Sequence, residues 1–334
     1  MKKSKNIYLR SAAGAALLSL GITLGSGTVF GALPRGEEYI NQDNLINTHI
    51  SSTIGEVDAA SFYGIEGRAA KINYNLPGIP SRNLSYYKTK SVKYGTSTLS
   101  TRAPVINNTV YLSVSDITKN VAGARVTYNK TSKTLTVSAN GLYMTMTDGG
   151  FVIYANDRPL FSFSPTIVMS NGEVYAPASA LEKALGIKRS AYTDSEIRYT
   201  GTYKPLANAK NYYREDEVYW LSKIISAESS GESLLGQIAV GDVILNRVQS
   251  PLFPNTIYSV IFDRKYGVQF SPTADGRIYG TPTYTATLAA KICLEGVSLS
   301  DDAMYFLNPR AAQSNWIVKN REYVYTIGNH DFYK

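Results

Sequence analysis

The stretch Tyr219–Glu232, YWLSKIISAESSGE, decides how the C-terminal part of the chain folds. Within it, Leu221, Ile224, Ile225 and Glu228 recur at i, i+3, i+4 and i+7, the spacing of one helix face. Three of the four are apolar, so this face should pack inward and carry the carboxylate with it. Burial raises the pKa of a carboxyl group, and an acid that stays protonated near neutral pH can serve as a general acid.

The helix should end at Ser229-Ser230-Gly231, which places Glu228 in its last turn at the edge of a possible cleft. A protonated acid in a cleft suits the cleavage of a glycosidic bond. The position also suits a structural carboxylate that accepts backbone amides of the next element, because perturbed acids are not confined to active sites. The stretch alone leaves both interpretations open.

Composition bounds the class of protein. A length of 334 residues suits two domains, and 44% hydrophobic with 18% charged residues indicates globular ones. A single cysteine rules out an internal disulfide framework, and two histidines, His49 and His330, supply a zinc site poorly. We therefore predict no metal and no cofactor. The 26 tyrosines suit stacking on sugars, although they also suit packing in β-rich secreted domains.

The positive charge lies in the front of the chain. Residues 33–210 carry 19 basic and 13 acidic side chains, whereas residues 211–334 carry 11 and 13. A basic front half favours an anionic polymer such as a bacterial cell wall. The basic residues are scattered and form no run outside the N-terminus, so no nucleic-acid partner is expected.

Residues 1–31 have the features of a secretory signal peptide, with basic MKKSKNIYLR, apolar SAAGAALLSLGITLGSG and a cleavage site near Gly31. Its glycines make a poor permanent span, and no other stretch is apolar enough to cross a bilayer. We expect secretion across the cytoplasmic membrane and no stable membrane insertion after cleavage. Residues 32–90 are polar with weak periodicity and predict a connector.

Residues 91–200 contain an internal repeat. INNTVYLSVSDI (106–117) matches MSNGEVYAPASAL (169–181), and each copy predicts a turn, a short strand and a helix that ends near Gly123 or Gly186. The segments ARVTYN, TLTVSA, LYMTMT and FVIYA between them alternate as strands do. We predict a small-sheet α+β module with its helices on one face of the sheet.

The two copies resemble the stalk, or copper-amine-oxidase-N-terminal-like, domain of secreted proteins. The second copy keeps Ala176-Pro177 where that family has Val-Pro, and the first has Leu112-Ser113. The resemblance implies a spacer or a wall-associating module. It does not imply copper, because the module contains no histidine.

Residues 201–216 predict a linker, and residues 217–334 predict a second domain. SLLGQIAVGDVILNRV, after Gly231, is apolar on almost every side and should be a buried central helix. TYTATLAAKICLEG predicts another helix, with Cys293 on its apolar face, where packing is favoured over a thiol nucleophile.

Two further acids need an interpretation. Asp242 lies within the central helix, as a catalytic partner or as a buried acid tied to Arg247 or to backbone. Glu232 shares the face of Glu228 only if the first helix continues past Gly231, whereas a cap on the second helix is favoured.

Aromatic and amide side chains in the last 70 residues suit a sugar-binding groove, because rings stack on sugar faces and amides bond hydroxyl and N-acetyl groups. Asn329 is among them, and the predicted substrate-binding residues are Gln269, Phe270, Ser271, Tyr305, Asn308, Trp316 and His330.

The C-terminal segment resembles the SleB/CwlJ-type cell wall hydrolase family, known for spore cortex-lytic enzymes. AESSGE, GQIAVGDVILNRV, FPNTIYSVIF, QFSPTADGRI, YFLNP and IGNHDFY match its motifs in order and spacing. The resemblance implies a mainly helical, lysozyme-like domain related to lytic transglycosylases, with Glu228 as the catalytic acid. Asp242 departs from the family, which usually has an apolar residue there.

These observations predict a two-domain α+β enzyme that cleaves peptidoglycan between N-acetylmuramic acid and N-acetylglucosamine. A single Glu228 acid, with no convincing second carboxylate, favours lytic transglycosylation in the cell wall or the spore cortex and coat. The alternatives are an N-acetylmuramoyl-L-alanine amidase and a non-catalytic wall-binding protein. A helper protein is implied for some relatives, but no residue marks a docking site.

Overall fold

The computed structural model describes Leu76, residues 78–312 and residues 314–334. The predicted signal peptide and most of the predicted connector lie outside these residues. The front region is rich in sheet and the C-terminal region combines helices with one small sheet, so the chain is α+β as expected. Within the described residues, no helix combines the length and apolar character needed to cross a membrane.

The sheet-rich domain, residues 89–200, contains thirteen strands and two helices among the described residues. In chain order they are β1 Thr89–Tyr94, β2 Ser97–Thr98, β3 Ala103–Ile106, β4 Thr109–Ser113, α1 Val114–Ala122, β5 Arg125–Asn129, β6 Thr134–Ala139, β7 Leu142–Thr147, β8 Val152–Ala155, β9 Arg158–Phe161, β10 Ile167–Val168, β11 Val174–Pro177, α2 Ala178–Leu185, β12 Lys188–Tyr192 and β13 Glu196–Thr200.

These strands form two sheets rather than the one small sheet expected. The larger has the order β10-β11-β4-β3-β1-β13-β12 with β2 paired to β1, and its only parallel pair among these strands is β1 with β13. The smaller is an antiparallel meander, β5 to β9, built from the four segments whose alternation predicts strands and from one more, β9.

The two strand–helix units, β4-α1 and β11-α2, lie side by side, because β4 and β11 pair antiparallel. Tyr111 and Tyr175 occupy corresponding positions and share one small buried cluster. Each helix ends at a glycine with positive φ, Gly123 at +60° and Gly186 at +70°, as the sequence predicts. Left-handed backbone closes a helix at little cost only for glycine.

The predicted linker is bonded to the sheet-rich domain along its length. Lys204 N donates to Leu185 O at 3.0 Å, and Leu206 N donates to Ala184 O at 3.1 Å. Farther along, Ala209 N donates to the carbonyl of Asn156 at 3.0 Å. Residues 204–209 therefore follow the domain surface instead of crossing open space.

The C-terminal domain, residues 215–334, is preceded by the short α3 and has these elements: α3 Ala209–Tyr212, α4 Glu215–Ser229, α5 Leu234–Gln249, α6 Ile257–Ile261, α7 Pro272–Asp275, a 3₁₀ turn Arg277–Tyr279, α8 Tyr284–Leu294, β14 Tyr305–Leu307, α9 Trp316–Asn320, β15 Tyr323–Ile327 and β16 His330–Tyr333. The three strands form an antiparallel sheet in the order β14-β16-β15.

Helices α4 and α8 pack on α5, the predicted central helix. The helices approach each other closely at Gly241, where a Cβ would lie 2.7 Å from Cys293 Sγ and 2.8 Å from Ile225 Cδ1. The core also includes Phe151 and Val152 of the sheet-rich domain. The buried core therefore continues from the sheet-rich region into the C-terminal region.

Gly186→Ala and Gly123→Ala form a matched pair for the packing of residues 201–206. Both change a left-handed glycine, at a cost of about 1–2 kcal/mol in unfolding free energy. A Cβ at Gly123 meets open space, whereas one at Gly186 would lie 2.2 Å from the Lys204 carbonyl oxygen. In urea unfolding we expect Gly186→Ala to cost at least about 2 kcal/mol more, because a backbone clash adds to the conformational cost. Equal costs would contradict the packing of the linker.

Candidate active site

Glu228 lies in the last turn of α4, where the apolar spacing places it. Leu221, Ile224 and Ile225 are fully buried, and Glu228 at the end of their stripe is half-buried. Among the described residues, its carboxylate has no hydrogen bond and no cation within ion-pair distance. Burial raises its pKa to about 7; the positive charge of Arg277 opposes this rise and the negative charge of Asp275 adds to it.

Arg277 ties the end of α4 to the loop that begins at Ser271. Its guanidinium donates from Nη1 to the Ala227 carbonyl at 3.1 Å, next to Glu228, and from Nη2 to Ser271 Oγ at 3.3 Å. Its Nε donates to Asp275 Oδ2 at 2.9 Å. Ser271 is the one predicted substrate-binding residue that these contacts connect to the Glu228 end of α4.

Asp275 and Glu228 have opposite electrostatic environments. The Arg277 backbone amide donates to Asp275 Oδ1 at 3.0 Å, and this bond, with the guanidinium, lowers the Asp275 pKa. Asp275 is exposed and ionised at neutral pH, beside a carboxyl group whose pKa is raised. In hydrolases, such different environments move the pKa values of the catalytic acid and the catalytic base apart.

Three more hydrogen bonds hold the last turns of α4. Thr283 N donates to Ser226 Oγ at 3.1 Å, which joins α4 to the N-cap of α8. Lys223 Nζ donates to the carbonyls of Tyr279 and Gly280, at 3.1 and 2.7 Å. The part of α4 that directly precedes Glu228 is therefore braced by residues 271–283.

Asp242 is a structural acid rather than a catalytic partner. It is buried within α5 and accepts the backbone amides of Leu299 at 2.9 Å and Ser300 at 3.1 Å, and Ser298 Oγ at 3.2 Å. Burial raises its pKa to about 6, and these bonds oppose the rise. Of the two structural partners the sequence leaves open, backbone is confirmed and Arg247 is wrong.

Glu232 lies outside α4, because that helix ends at Ser229. It therefore does not share the helix face of Glu228. Its carboxylate accepts the Asn329 backbone amide at 3.1 Å and the Asn329 side-chain amide at 2.9 Å. His330 Nδ1 lies 3.7 Å from Glu232 Oε1, and burial lowers the His330 pKa. Asn329 and His330 are thus held in a turn fixed to Glu232, and His330 is buried.

Gln269, Phe270 and Tyr305 gather around Arg247, a buried cation. Arg247 donates to Met304 O at 2.7 Å and to Gln269 Oε1 at 3.4 Å. Its guanidinium lies 5.1 Å from the Phe270 ring centroid and 5.2 Å from that of Tyr305. Phe270 is 3% exposed, so its ring belongs to the core, and its predicted contact with substrate stays a prediction.

Trp316 and Asn308 lie at the end of the domain that carries β14 and α9. Trp316 is 51% exposed, and Arg321 lies between its ring and that of Tyr305, at 4.9 and 4.5 Å from the centroids. Asn308 Oδ1 accepts the Arg310 amide at 3.0 Å and shapes a turn. A cavity of about 440 Å³ opens here, lined by Leu307, Pro309, Ala312, Ser314, Asn315 and Val318.

Cys293 is buried packing, as expected. Its Sγ donates to the Ile238 carbonyl at 3.4 Å, and burial raises its pKa well above the ordinary thiol value. Within the described residues, no group of three His, Cys, Asp or Glu side chains is arranged to hold a metal ion.

Sequence reasoning missed Arg277 and Asp275. Both lie in QFSPTADGRI, where only Gln269, Phe270 and Ser271 were interpreted. The signal was an acid and a base flanking Gly276, whose φ of +85° turns the chain back toward α4. Pairing that turn with Glu228 required the fold, since about 50 residues separate them.

Arg277→Met and Asp275→Asn should move the Glu228 pKa in opposite directions. Loss of the cation removes a charge that favours the carboxylate, so the pKa rises; loss of the anion lowers it. Carboxyl NMR titration of the full mature protein measures this without any substrate. Arg264→Met, which removes an exposed cation bonded weakly to Thr273, is the matched control and should leave the titration unchanged. Shifts of the same sign in both variants would contradict the electrostatic account.

Two segments of the chain match known protein families. Residues 231–333 match the Cell Wall Hydrolase family, and residues 92–196 match the Copper amine oxidase N-terminal domain family. Spore cortex-lytic enzymes of Bacillus cereus and of Bacillus subtilis (strain 168) are 41% and 38% identical over 127 and 126 residues, or 38% of this chain in each case.

The chain spans about half or less of those curated relatives, 48% and 40%. A solved structure, the catalytic domain of the germination-specific lytic transglycosylase SleB from Bacillus anthracis, is 41% identical; the match covers 98% of that domain and 37% of this chain, with a TM-score of 0.34. The chain therefore combines a cell wall hydrolase domain, homologous to spore cortex-lytic enzymes, with a copper amine oxidase N-terminal-like domain.

Proposed function

We propose that this protein is a peptidoglycan-cleaving enzyme that cuts the glycan backbone between N-acetylmuramic acid and N-acetylglucosamine, with Glu228 as its general acid and base. The observation that carries the proposal is the carboxyl group of Glu228, held at the end of an apolar helix face with its pKa raised to about 7. A group with that pKa donates and accepts a proton near neutral pH. The similarity to spore cortex-lytic enzymes and to a lytic transglycosylase supports the same reaction class.

In the proposed reaction, protonated Glu228 gives its proton to the glycosidic oxygen as the bond from that oxygen to the muramic anomeric carbon breaks. The 6-hydroxyl of the same muramic residue then attacks the anomeric carbon, and ionised Glu228 takes the hydroxyl proton. The products are a free N-acetylglucosamine hydroxyl and a 1,6-anhydro-muramic end. No water is consumed, and Glu228 returns to its protonated state.

A single acid is supported by how Asp242 and Glu232, the two other acids that the sequence singles out, are engaged. The Asp242 carboxylate is bonded to backbone amides and the Glu232 carboxylate to Asn329. Arg277 holds the end of α4 next to Glu228 through the Ala227 carbonyl, so it fixes the direction of the acid.

A hydrolase is the second candidate, and Asp275 favours it. Two carboxylates of unlike pKa near one bond are the arrangement used when water or a covalent intermediate takes part. Asp275 is ionised, exposed and close enough to act on the Glu228 charge. In a hydrolase it would be the base or nucleophile.

The substrate and site of action are also proposed. Peptidoglycan of the cell wall or spore cortex is the partner, reached after secretion directed by residues 1–31. Gln269, Ser271, Tyr305, Asn308 and Trp316 remain the proposed substrate contacts, together with the exposed edge of the Asn329-His330 turn. The paired β4-α1 and β11-α2 units support an internal repeat in the sheet-rich domain, and we propose a mainly helical, lysozyme-like C-terminal domain.

Glu228→Gln should abolish release of muropeptides from purified peptidoglycan and stabilise the fold above pH 7. The pKa of Glu228 is about 7 in the folded protein and 4.5 for an unperturbed glutamate, so the folded state binds the proton more tightly. Its stabilising contribution is full below pH 4.5 and is lost as the pH rises through 7, which amounts to at most about 3 kcal/mol of unfolding free energy. The glutamine variant does not ionise, so it avoids that loss.

The measurement is turnover together with the Tm at pH 5 and pH 8. Glu215→Gln, an exposed Glu at the other end of the same helix, is the matched control and should keep both activity and Tm. Near-normal turnover in Glu228→Gln would refute the assignment.

Mass spectrometry of the released muropeptides should separate the two candidate reactions. Anhydro-muramic ends support transglycosylation, and Asp275→Asn should then keep the anhydro product. Reducing ends that have gained water support hydrolysis, and Asp275→Asn should then lose turnover as completely as Glu228→Gln. Peptidoglycan with and without muramic lactam, assayed in parallel, separates spore cortex from vegetative wall.

A further inference from the structure

The junction of the sheet-rich domain with the C-terminal domain is built around Glu295, the residue after α8. Its side chain is 1% exposed. Arg158 of β9 donates to both carboxylate oxygens, from Nε at 2.7 Å and from Nη2 at 2.8 Å. Lys183 of α2 places its Nζ 2.7 Å from Oε2. One buried anion of the C-terminal domain is therefore paired with two cations of the sheet-rich domain.

The linker completes this cluster. The Tyr213 hydroxyl donates to Glu295 Oε1, and the Arg158 guanidinium lies 3.2 Å from the centroid of the Tyr212 ring. Lys183 Nζ also donates to the Glu295 carbonyl at 2.8 Å. Burial alone would raise the pKa of Glu295, but the bonds from Arg158, Lys183 and Tyr213 outweigh it and lower that pKa.

Apolar packing surrounds the ion pairs. Phe151 and Val152, at the start of β8, belong to the same buried core as α4, α5 and α8, and Tyr154 and Phe161 pack against that core. A face of the β8–β9 hairpin is therefore covered by α8. Domains that meet only through small polar surfaces move relative to each other, whereas a shared apolar core opposes such motion.

The linker is hydrogen-bonded to the two domains at several points between residues 204 and 213. Asn156, in the β8–β9 turn, donates from Nδ2 to the Leu206 carbonyl at 2.7 Å, and Asn208 Nδ2 donates to Asp157 Oδ2 at 3.0 Å. With the bonds of Tyr212 and Tyr213 at the cluster, residues 204–213 are anchored at both ends and in the middle.

We propose that the sheet-rich domain is a docked, fixed part of the enzyme, locked by the Glu295 cluster to α8, so that the two domains unfold and move as one body. The bidentate guanidinium pair is matched in shape and charge, and removal of one partner leaves buried charge uncompensated. The binding partner of the sheet-rich domain in this proposal is the C-terminal domain of the same chain. The proposal stands on contacts remote from Glu228 and is independent of the proposed function.

The test uses the full mature protein and needs no mutation for its first arm. Both tryptophans, Trp220 and Trp316, lie in the C-terminal domain, so tryptophan fluorescence in urea follows that domain. Hydrogen exchange of β6 and β7, measured at the same urea concentrations, follows the other. A locked body gives coincident midpoints and resists trypsin after Lys204 and Lys210. Separate midpoints and rapid cleavage there would overturn the proposal.

Glu295→Gln is the second arm. It keeps the shape but leaves Arg158 and Lys183 without an anion, and we expect the Tm to fall by roughly 10 °C and the two midpoints to separate. Glu182→Gln removes the partner of half-exposed Arg189 within the sheet-rich domain and should leave the Tm nearly unchanged. An unchanged Tm with coincident midpoints in Glu295→Gln would show that the cluster is not the lock. If that variant does not fold, the wild-type arm decides.

Discussion

The burial of a carboxyl group at the end of an apolar helix face is the constraint on which the site depends. Leu221, Ile224 and Ile225 pack α4 against α5 and α8. Because Glu228 lies on the same helix face, this packing also places its side chain toward the core. The energy that holds the acid in a poorly solvated position comes from apolar packing of its neighbours, which share its face. Hydrophobic burial along one stripe thus sustains an electrostatic cost at its last position.

Four partly or fully buried acids of the C-terminal domain show why Glu228 stands apart. Glu295 is neutralised by two cations, Asp242 accepts backbone amides, and Glu232 accepts both amides of Asn329. Each of these three carboxylates accepts at least two hydrogen bonds. Within the described residues Glu228 has none, and its nearest charges, Arg277 and Asp275, act on it without bonding it. A structural acid is satisfied by the fold, and the absence of such donors around Glu228 supports the catalytic role that we propose for it.

The parts of the fold that local patterns control follow from the sequence. The α4 face, the buried α5, the inward face of α8 and four strands of the meander all occur where periodicity places them, and α4 ends at Ser229. The contacts between residues far apart in the chain could not be predicted from the sequence, because no local pattern encodes them. Arg158 and Glu295 are 137 residues apart, and Arg277 reaches the end of α4 across 50. Phe270 shows the same limit, because an aromatic residue beside polar ones satisfies the same pattern whether its ring packs in the core, as this one does, or contacts a sugar.

The contacts of the linker could not be predicted from local sequence patterns either. Residues 201–216 are polar and rich in small residues, which is typical of a flexible connection, yet their polar groups bond the β8–β9 turn and the ends of α2 and α8. Helix α8 lies between the linker cluster and the candidate site. The residue after its C-terminal end, Glu295, pairs with Arg158, and its N-cap residue bonds Ser226, two residues before Glu228. Helix α8 therefore contacts the sheet-rich domain at its C-terminal end and the last turns of α4 at its N-cap. In the docked arrangement that we propose, one helix thus connects the sheet-rich domain to the turn of α4 that precedes Glu228.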